Sequence, residues 1–191
     1  VMTRLAAAGL AGGGEGVETG FAPDVTLADG AEVAGDGWRL RALHTPGHFG
    51  NHLCFAAGDT LFTGDLVMGW ASSLVSPPDG DLTDFMASCA RLCGHRWRVM
   101  HPGHGAPIAD PAARLAWLLA HRRTREAQIR AALAEAPGTA ETLARRIYAD
   151  TPPELLPAAA RNVFAHLVDL AGRDLARPEG SLSAGAVFHA T

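Results

Sequence analysis

His44-Thr45-Pro46-Gly47-His48-Phe49-Gly50-Asn51-His52 decides the fold, and it follows directly on the apolar-polar run Trp38–His44 that reads as a strand. Two shorter stretches repeat its pattern. Phe62-Thr63-Gly64-Asp65 ends a second candidate strand in glycine and then a carboxylate, and His101-Pro102-Gly103-His104-Gly105 ends a third in glycine and then an imidazole. In each, glycine lets the backbone turn sharply so that the next side chain leaves the strand end toward a shared pocket. Five of the nine histidines, His44, His48, His52, His101 and His104, flank these glycines. Imidazole plus carboxylate without cysteine is the ligand set of a hydrolytic zinc, manganese or iron centre.

Outward from these stretches, the chain divides in two. The first part reads as short strands, at Val25–Leu27, Glu32–Val33, Trp38–His44, His52–Ala56, Thr60–Thr63 and Arg98–His101, with Gly58-Asp59 as a hairpin turn. A helix opened by Asp81 or Thr83 reaches Cys93. A long helix follows from Asp110, its N-cap, through Pro111 to about Ala134, with Leu115, Leu118, Leu119, Ile129 and Leu133 as its buried stripe. Arg122-Arg123-Thr124-Arg125 reads as its solvated face. After Pro137-Gly138, Thr139 caps a short helix, and Thr151 with Glu154 predicts a capping box ahead of a helix ending near Leu170. A turn-rich tail then ends in a hairpin near Val187-Phe188. Helices followed by a hairpin give the order of a winged helix. The expected division is 1–136 and 137–191.

Composition narrows the class. The 191 residues are 48% hydrophobic and 19% charged, with a net charge of −4, so a packed core is expected rather than disorder. All 16 basic residues are arginine beside 37 alanines, which reads as a compositional habit of the source. No apolar run of about 18 residues occurs, so no membrane span is expected. No basic segment leading into an apolar run opens the chain, so nothing marks it for secretion. Cys54, Cys89 and Cys93 make neither a disulfide framework nor a zinc knuckle; they read as small buried hydrophobes, and their odd number predicts a cytoplasmic protein. Met68-Gly69-Trp70 reads as packing.

Taken together and in this order, Thr-Pro-Gly-His, Thr-Gly-Asp and Pro-Gly-His-Gly resemble the third, fourth and fifth metal motifs of the metallo-β-lactamase superfamily. Thr63-Gly64-Asp65-Leu66-Val67-Met68-Gly69 and His121-Arg122-Arg123 through Arg125-Glu126 and Gln128-Ile129 are similar to the branch containing the endoribonuclease β-lactamase-like protein 2. The resemblance implies an α/β fold, the C-terminal part of an αββα sandwich followed by a small winged helix. It also implies a two-metal site of Zn2+, or of Mn2+ or Fe2+. His48 would bind the first metal, His104 the second, and Asp65 would bridge both, with His52 near the substrate. The catalytic residues expected are thus Asp65 and His52, serving a metal-activated hydroxide that attacks an ester, thioester, lactone or RNA phosphodiester. Substrates would be small ester-type molecules or single-stranded RNA.

The family's first metal motif, His-x-His-x-Asp-His, has no counterpart, because no histidine precedes His44. With Val1 in place of an initiator methionine, this predicts that the chain is the C-terminal portion of a longer enzyme and that, alone, it is a poor catalyst. Phe49-Gly50 also replaces the residues usual after the third-motif histidine. Two other readings remain: a winged-helix nucleic-acid-binding protein with a relic hydrolase domain, and a family member that has lost its site and kept an interaction role. Residues 111–191 carry a net charge of +2, but their arginines are spread over three helices, more thinly than a strong DNA reader requires.

Overall fold

A computed structural model of the chain describes residues 20–191. Five strands form one sheet in chain order: β1 (Glu32–Gly35), β2 (Trp38–His44), β3 (Leu53–Ala57), β4 (Thr60–Gly64) and β5 (Val99–Pro102). Neighbours are antiparallel except β4 and β5, which are parallel and joined through helix α1 (Leu82–Cys93). It follows that β2, β4 and β5 run in one direction and end at the same edge of the sheet, where β3 begins. The three glycine-marked stretches therefore emerge side by side.

Period-two alternation divides the sheet into two rows. Leu43, Cys54, Ala56, Leu61 and Met100 are buried with Phe85, Cys89 and Leu92 of α1 and Leu115 and Leu118 of α2 (Pro111–Glu135). The other row contains Phe55, opposite Phe62, opposite His101, and Phe62 is 43% exposed. Helix α1 starts where Asp81 accepts from the amides of Thr83 and Asp84, and α2 where Asp110 accepts from Ala113, each satisfying an orphan amide of the first turn.

Helix α2 outruns the first core and enters a second. There Ile129, Ala132 and Leu133 pack with α3 (Ala140–Ile147), α4 (Leu156–Gly172) and the hairpin of β6 (Ala176–Pro178) and β7 (Phe188–Ala190). Thr139 caps α3 through the Thr142 amide, as its sequence position predicts.

Four expectations are corrected. Val25–Leu27 is irregular and not a strand. The Thr151/Glu154 capping box does not form, because Pro152-Pro153 sets up a 3-10 turn over Pro153–Leu155 and α4 begins at Leu156 without a side-chain cap. Arg122 is 2% exposed, inside the protein and not on a solvated face. Cys54 and Cys89 are buried, their thiols pushed up to about 12 by desolvation, whereas Cys93 is exposed. Among the described residues, no helix is long and apolar enough to cross a membrane. The expected start of the first domain, residues 1–19, lies outside the described residues.

Candidate metal centre

Each glycine-marked stretch delivers its side chain as the sequence predicts. Gly47 and Gly64 hold φ of 143° and 49°, conformations that L side chains rarely adopt, and they aim His48 and Asp65 off the ends of β2 and β4. Gly103 is required for another reason. A Cβ there would lie 2.6 Å from Asp65 Oδ1, so only glycine lets the loop before His104 close over the carboxylate.

The three side chains meet at Asp65. His48 Nε2 stands 3.9 Å from Oδ2, and His104 Nε2 stands 3.7 Å from Oδ1. His48 is nearly enclosed, whereas the His104 side chain is 72% exposed. The Nδ1 of His48 donates to the Leu74 carbonyl at 2.7 Å, since a carbonyl only accepts. In the neutral ring that bond places the proton on Nδ1, so that Nε2 is the acceptor nitrogen facing the carboxylate of Asp65. Both atoms are acceptors, and their separation is too long for a hydrogen bond. Oδ1 of Asp65 is withdrawn from solvent and accepts no hydrogen bond. A buried carboxylate oxygen without a partner, in a carboxylate that has an imidazole nitrogen beside each of its two oxygens, is a donor arrangement that a divalent cation satisfies. The geometry is two pairs sharing one carboxylate and not a closed cage. Among the described residues, no group of three or more His, Cys, Asp or Glu side chains is drawn tightly enough to hold a metal ion together.

His52 lies beside this group. Its ring centre is 6.5 Å from that of His48, its Nδ1 is 3.0 Å from Thr45 Oγ1, and its Nε2 packs over Gly64. Desolvation, and then the neighbouring His48, push its pKa down to about 4, so it is a neutral imidazole at physiological pH. The other two histidines of the pattern take different parts. His44 Nε2 contacts the Gly50 carbonyl at 3.0 Å and braces the His48 loop, while His101 stacks on Phe62 with ring centres 5.4 Å apart. Trp70, expected to be packing, is 71% exposed beside Gly105.

The loop between Asp65 and α1 is held by contacts that no local motif announces. Thr63 Oγ1 donates to the Val67 carbonyl and Ser73 Oγ to that of Leu66. Arg114 donates to the carbonyls of Met68 and Ala71, both at 2.6 Å, and Arg122 to that of Ser73. Arg122 also points Nη1 at Asn162 Oδ1, at 2.9 Å, and its guanidinium lies 5.0 Å from the centre of the Phe85 ring. The signal was available for Arg122, which falls four residues after Leu118 on the apolar stripe of its helix.

Comparison with known proteins places this geometry in a family. Residues 139–185 match the beta-lactamase associated winged helix domain. The chain is 33% identical over 148 residues to a Beta-lactamase-like protein 2 homolog of Drosophila melanogaster, covering 75% of this chain and 49% of that protein. It is 36% identical over 136 residues to an Atrochrysone carboxyl ACP thioesterase of Claviceps purpurea (strain 20.1), covering 67% and 43%. The crystal structure of a metallo-beta-lactamase family protein from Thermus thermophilus superimposes with a TM-score of 0.77 at 28% identity, over 89% of this chain and 55% of the other. The chain therefore spans about half the length of the relatives it matches. With an α/β mixed sheet whose ligand-type side chains share one edge and a winged helix attached through α2, the chain belongs to the metallo-β-lactamase superfamily.

Proposed function

We propose that the chain carries part of the site of a metal-dependent hydrolase, with His48 and His104 as ligands of separate divalent metals and Asp65 shared between them. The observation that carries this is the enclosed, unpartnered Oδ1 of Asp65, with an imidazole Nε2 on either side of the carboxylate. Zinc is the metal favoured by imidazole and carboxylate donors, with manganese and iron as alternatives. When bound, such metals supply a water nucleophile at neutral pH and polarise a carbonyl or phosphoryl oxygen. The chain's own residues present the donors: His48 is held through Nδ1 by the Leu74 carbonyl, which turns Nε2 toward Asp65, and Asp65 is held under Gly103. His52, neutral and largely buried, contributes a polar surface beside Asp65 without adding charge.

The substrate class is an ester, thioester or lactone, or the phosphodiester of single-stranded RNA. Its support is the likeness to one relative named a thioesterase and to another in the β-lactamase-like protein 2 group. The expected place of action is the cytoplasm. The division near residue 136 separates the metal-bearing part from the winged helix. A non-catalytic, nucleic-acid-reading role is less favoured, because α4 commits Val163, Phe164, Leu167, Val168 and Leu170 to the core and offers few basic groups for a groove.

The test is metal binding and turnover by the chain, with Asp65→Asn beside it. The wild type is expected to bind Zn2+ more weakly than a closed three-ligand site does, because each side of Asp65 supplies only two protein donors. With the metal added it is expected to cleave a thioester or single-stranded RNA slowly, and chelator is expected to stop it. Asp65→Asn should lose metal-dependent turnover and the metal-induced rise in melting temperature, while melting unchanged without metal. Equal metal binding by wild type and Asp65→Asn would overturn the reading.

A further inference from the structure

We infer that Asn162 and Arg122 are positioning residues for His48, acting from the winged-helix side of the molecule through the loop 73–75. This rests on the reading of His48 as a metal ligand. The chain of contacts is continuous. Asn162, on α4, accepts at its Oδ1 from Arg122 Nη1 at 2.9 Å and from the Val75 amide at 3.3 Å. Arg122 also donates to the Ser73 carbonyl, so the two peptide units on either side of Leu74 are tied down. The Leu74 carbonyl, in the same peptide unit as the Val75 amide, accepts from His48 Nδ1 at 2.7 Å. One amide oxygen on α4 thereby sets the direction of the carbonyl that sets the tautomer and ring angle of His48.

The cost of the arrangement supports a purpose beyond packing. Arg122 is 2% exposed, its Nε has no hydrogen-bond partner, and its guanidinium meets the Asn162 oxygen, the Ser73 carbonyl and the face of Phe85, none of them a carboxylate. An uncompensated buried guanidinium is expensive, and an apolar residue of similar volume would fill the space at less cost. What an apolar residue cannot do is hold a backbone carbonyl and an amide side chain at once. Outer contacts of this kind orient a ligating histidine and raise its basicity.

The experiment uses the 191-residue chain with 15N-labelled histidine at a pH where His48 is neutral. Four proteins are compared: wild type, Asn162→Ala, Asn162→Asp and Arg173→Gln. Asp keeps the acceptor oxygen. Arg173 is a separate tie between α2 and α4, through Glu126 at 2.8 Å and Asp169 at 2.7 Å, and touches none of the relay. In wild type, His48 should show a protonated Nδ1 and a free Nε2. Asn162→Ala should shift it toward a mixture of tautomers and weaken Co2+ binding about tenfold or more. Asn162→Asp should restore both, and Arg173→Gln should lower the melting temperature without moving either. If Asn162→Ala leaves the His48 signals and Co2+ affinity at wild-type values, or Arg173→Gln moves them as far, the relay is wrong. If the His48 signals respond as expected but wild type binds no Co2+, the relay stands and the metal-centre reading falls.

Discussion

The sheet edge and the second core are built on opposite terms, although one helix runs through both. At the sheet edge, the side chains that meet are polar, and the conformations of Gly47 and Gly64 suit only glycine. Asp65 is left with an oxygen that nothing satisfies, and His48 is held by a single carbonyl. In the second core, Leu143, Leu167, Leu170 and Phe188 are fully enclosed and the elements are regular. The difference separates stability from chemistry. The second core stabilises the chain by removing apolar surface from water, whereas the edge carries polar groups in arrangements that cost stability and acquire meaning only with a ligand present.

The largest effect should come from the apolar side. Phe188 is fully buried, meets Phe164 edge-on at 6.5 Å, and its backbone exchanges hydrogen bonds with Gly138. Phe188→Ala is expected to cost about 3–5 kcal/mol, through lost burial and the cavity left behind. Because α2 belongs to both cores, urea unfolding followed by circular dichroism should remain a single transition at a lower midpoint. Two separated transitions would show instead that the cores unfold independently, and the contrast would then be between two domains and not two regions of one.

A smaller effect comes from a polar group placed in the apolar region. His166 is 2% exposed on α4, neither ring nitrogen has a partner, and burial pushes its pKa down to about 3. Below the unfolded-state value near 6.5, the unfolded chain binds a proton that the folded chain does not. Stability should therefore rise with pH over the window from about 3 to 6.5, and fall as the pH is lowered through it. At pH 5 the loss attributable to this group is about 2 kcal/mol. His166→Phe should make the fall in melting temperature between about pH 7 and pH 5 shallower, leaving the share due to His52, whose pKa burial also pushes down to about 4. An unchanged slope in that variant would assign the acid sensitivity elsewhere.

Where the sequence was legible, the reason was local. Asp81, Asp110 and Thr139 are helix caps because a short polar side chain reaches an amide two or three residues on, which is a property of a few consecutive residues. The meeting of His48, Asp65 and His104 was legible because each follows a glycine at a strand end, and the strand directions bring those ends to one edge. What stayed hidden was long-range. The bond from Asn162 to Val75 crosses 87 residues, and that from Arg122 to Ser73 crosses 49. No spacing rule in either segment refers to the other. Arg122 was hidden for a related reason: it occupies an apolar-stripe position where its residue type argues for solvent, and tertiary packing decides for the interior.

The smallest effect tests how local those caps are. Thr139 and Thr151 both precede a helix, and both satisfy the sequence rule for an N-cap. Thr139 Oγ1 accepts from the Thr142 amide at 3.2 Å, so Thr139→Ala removes a bond that one of the first-turn amides of α3 relies on. The expected loss is about 1 kcal/mol. Thr151 sits ahead of Pro152-Pro153, and neither the 3-10 turn nor α4 has a side-chain cap. Proline at the start of the turn brings no amide to be satisfied, and its ring already fixes φ near the helical value. Thr151→Ala should accordingly change stability by less than about 0.5 kcal/mol. Thermal melts of the two variants side by side give the comparison directly. If Thr151→Ala costs as much as Thr139→Ala, the capping box forms in solution and the start of α4 lies earlier than Leu156.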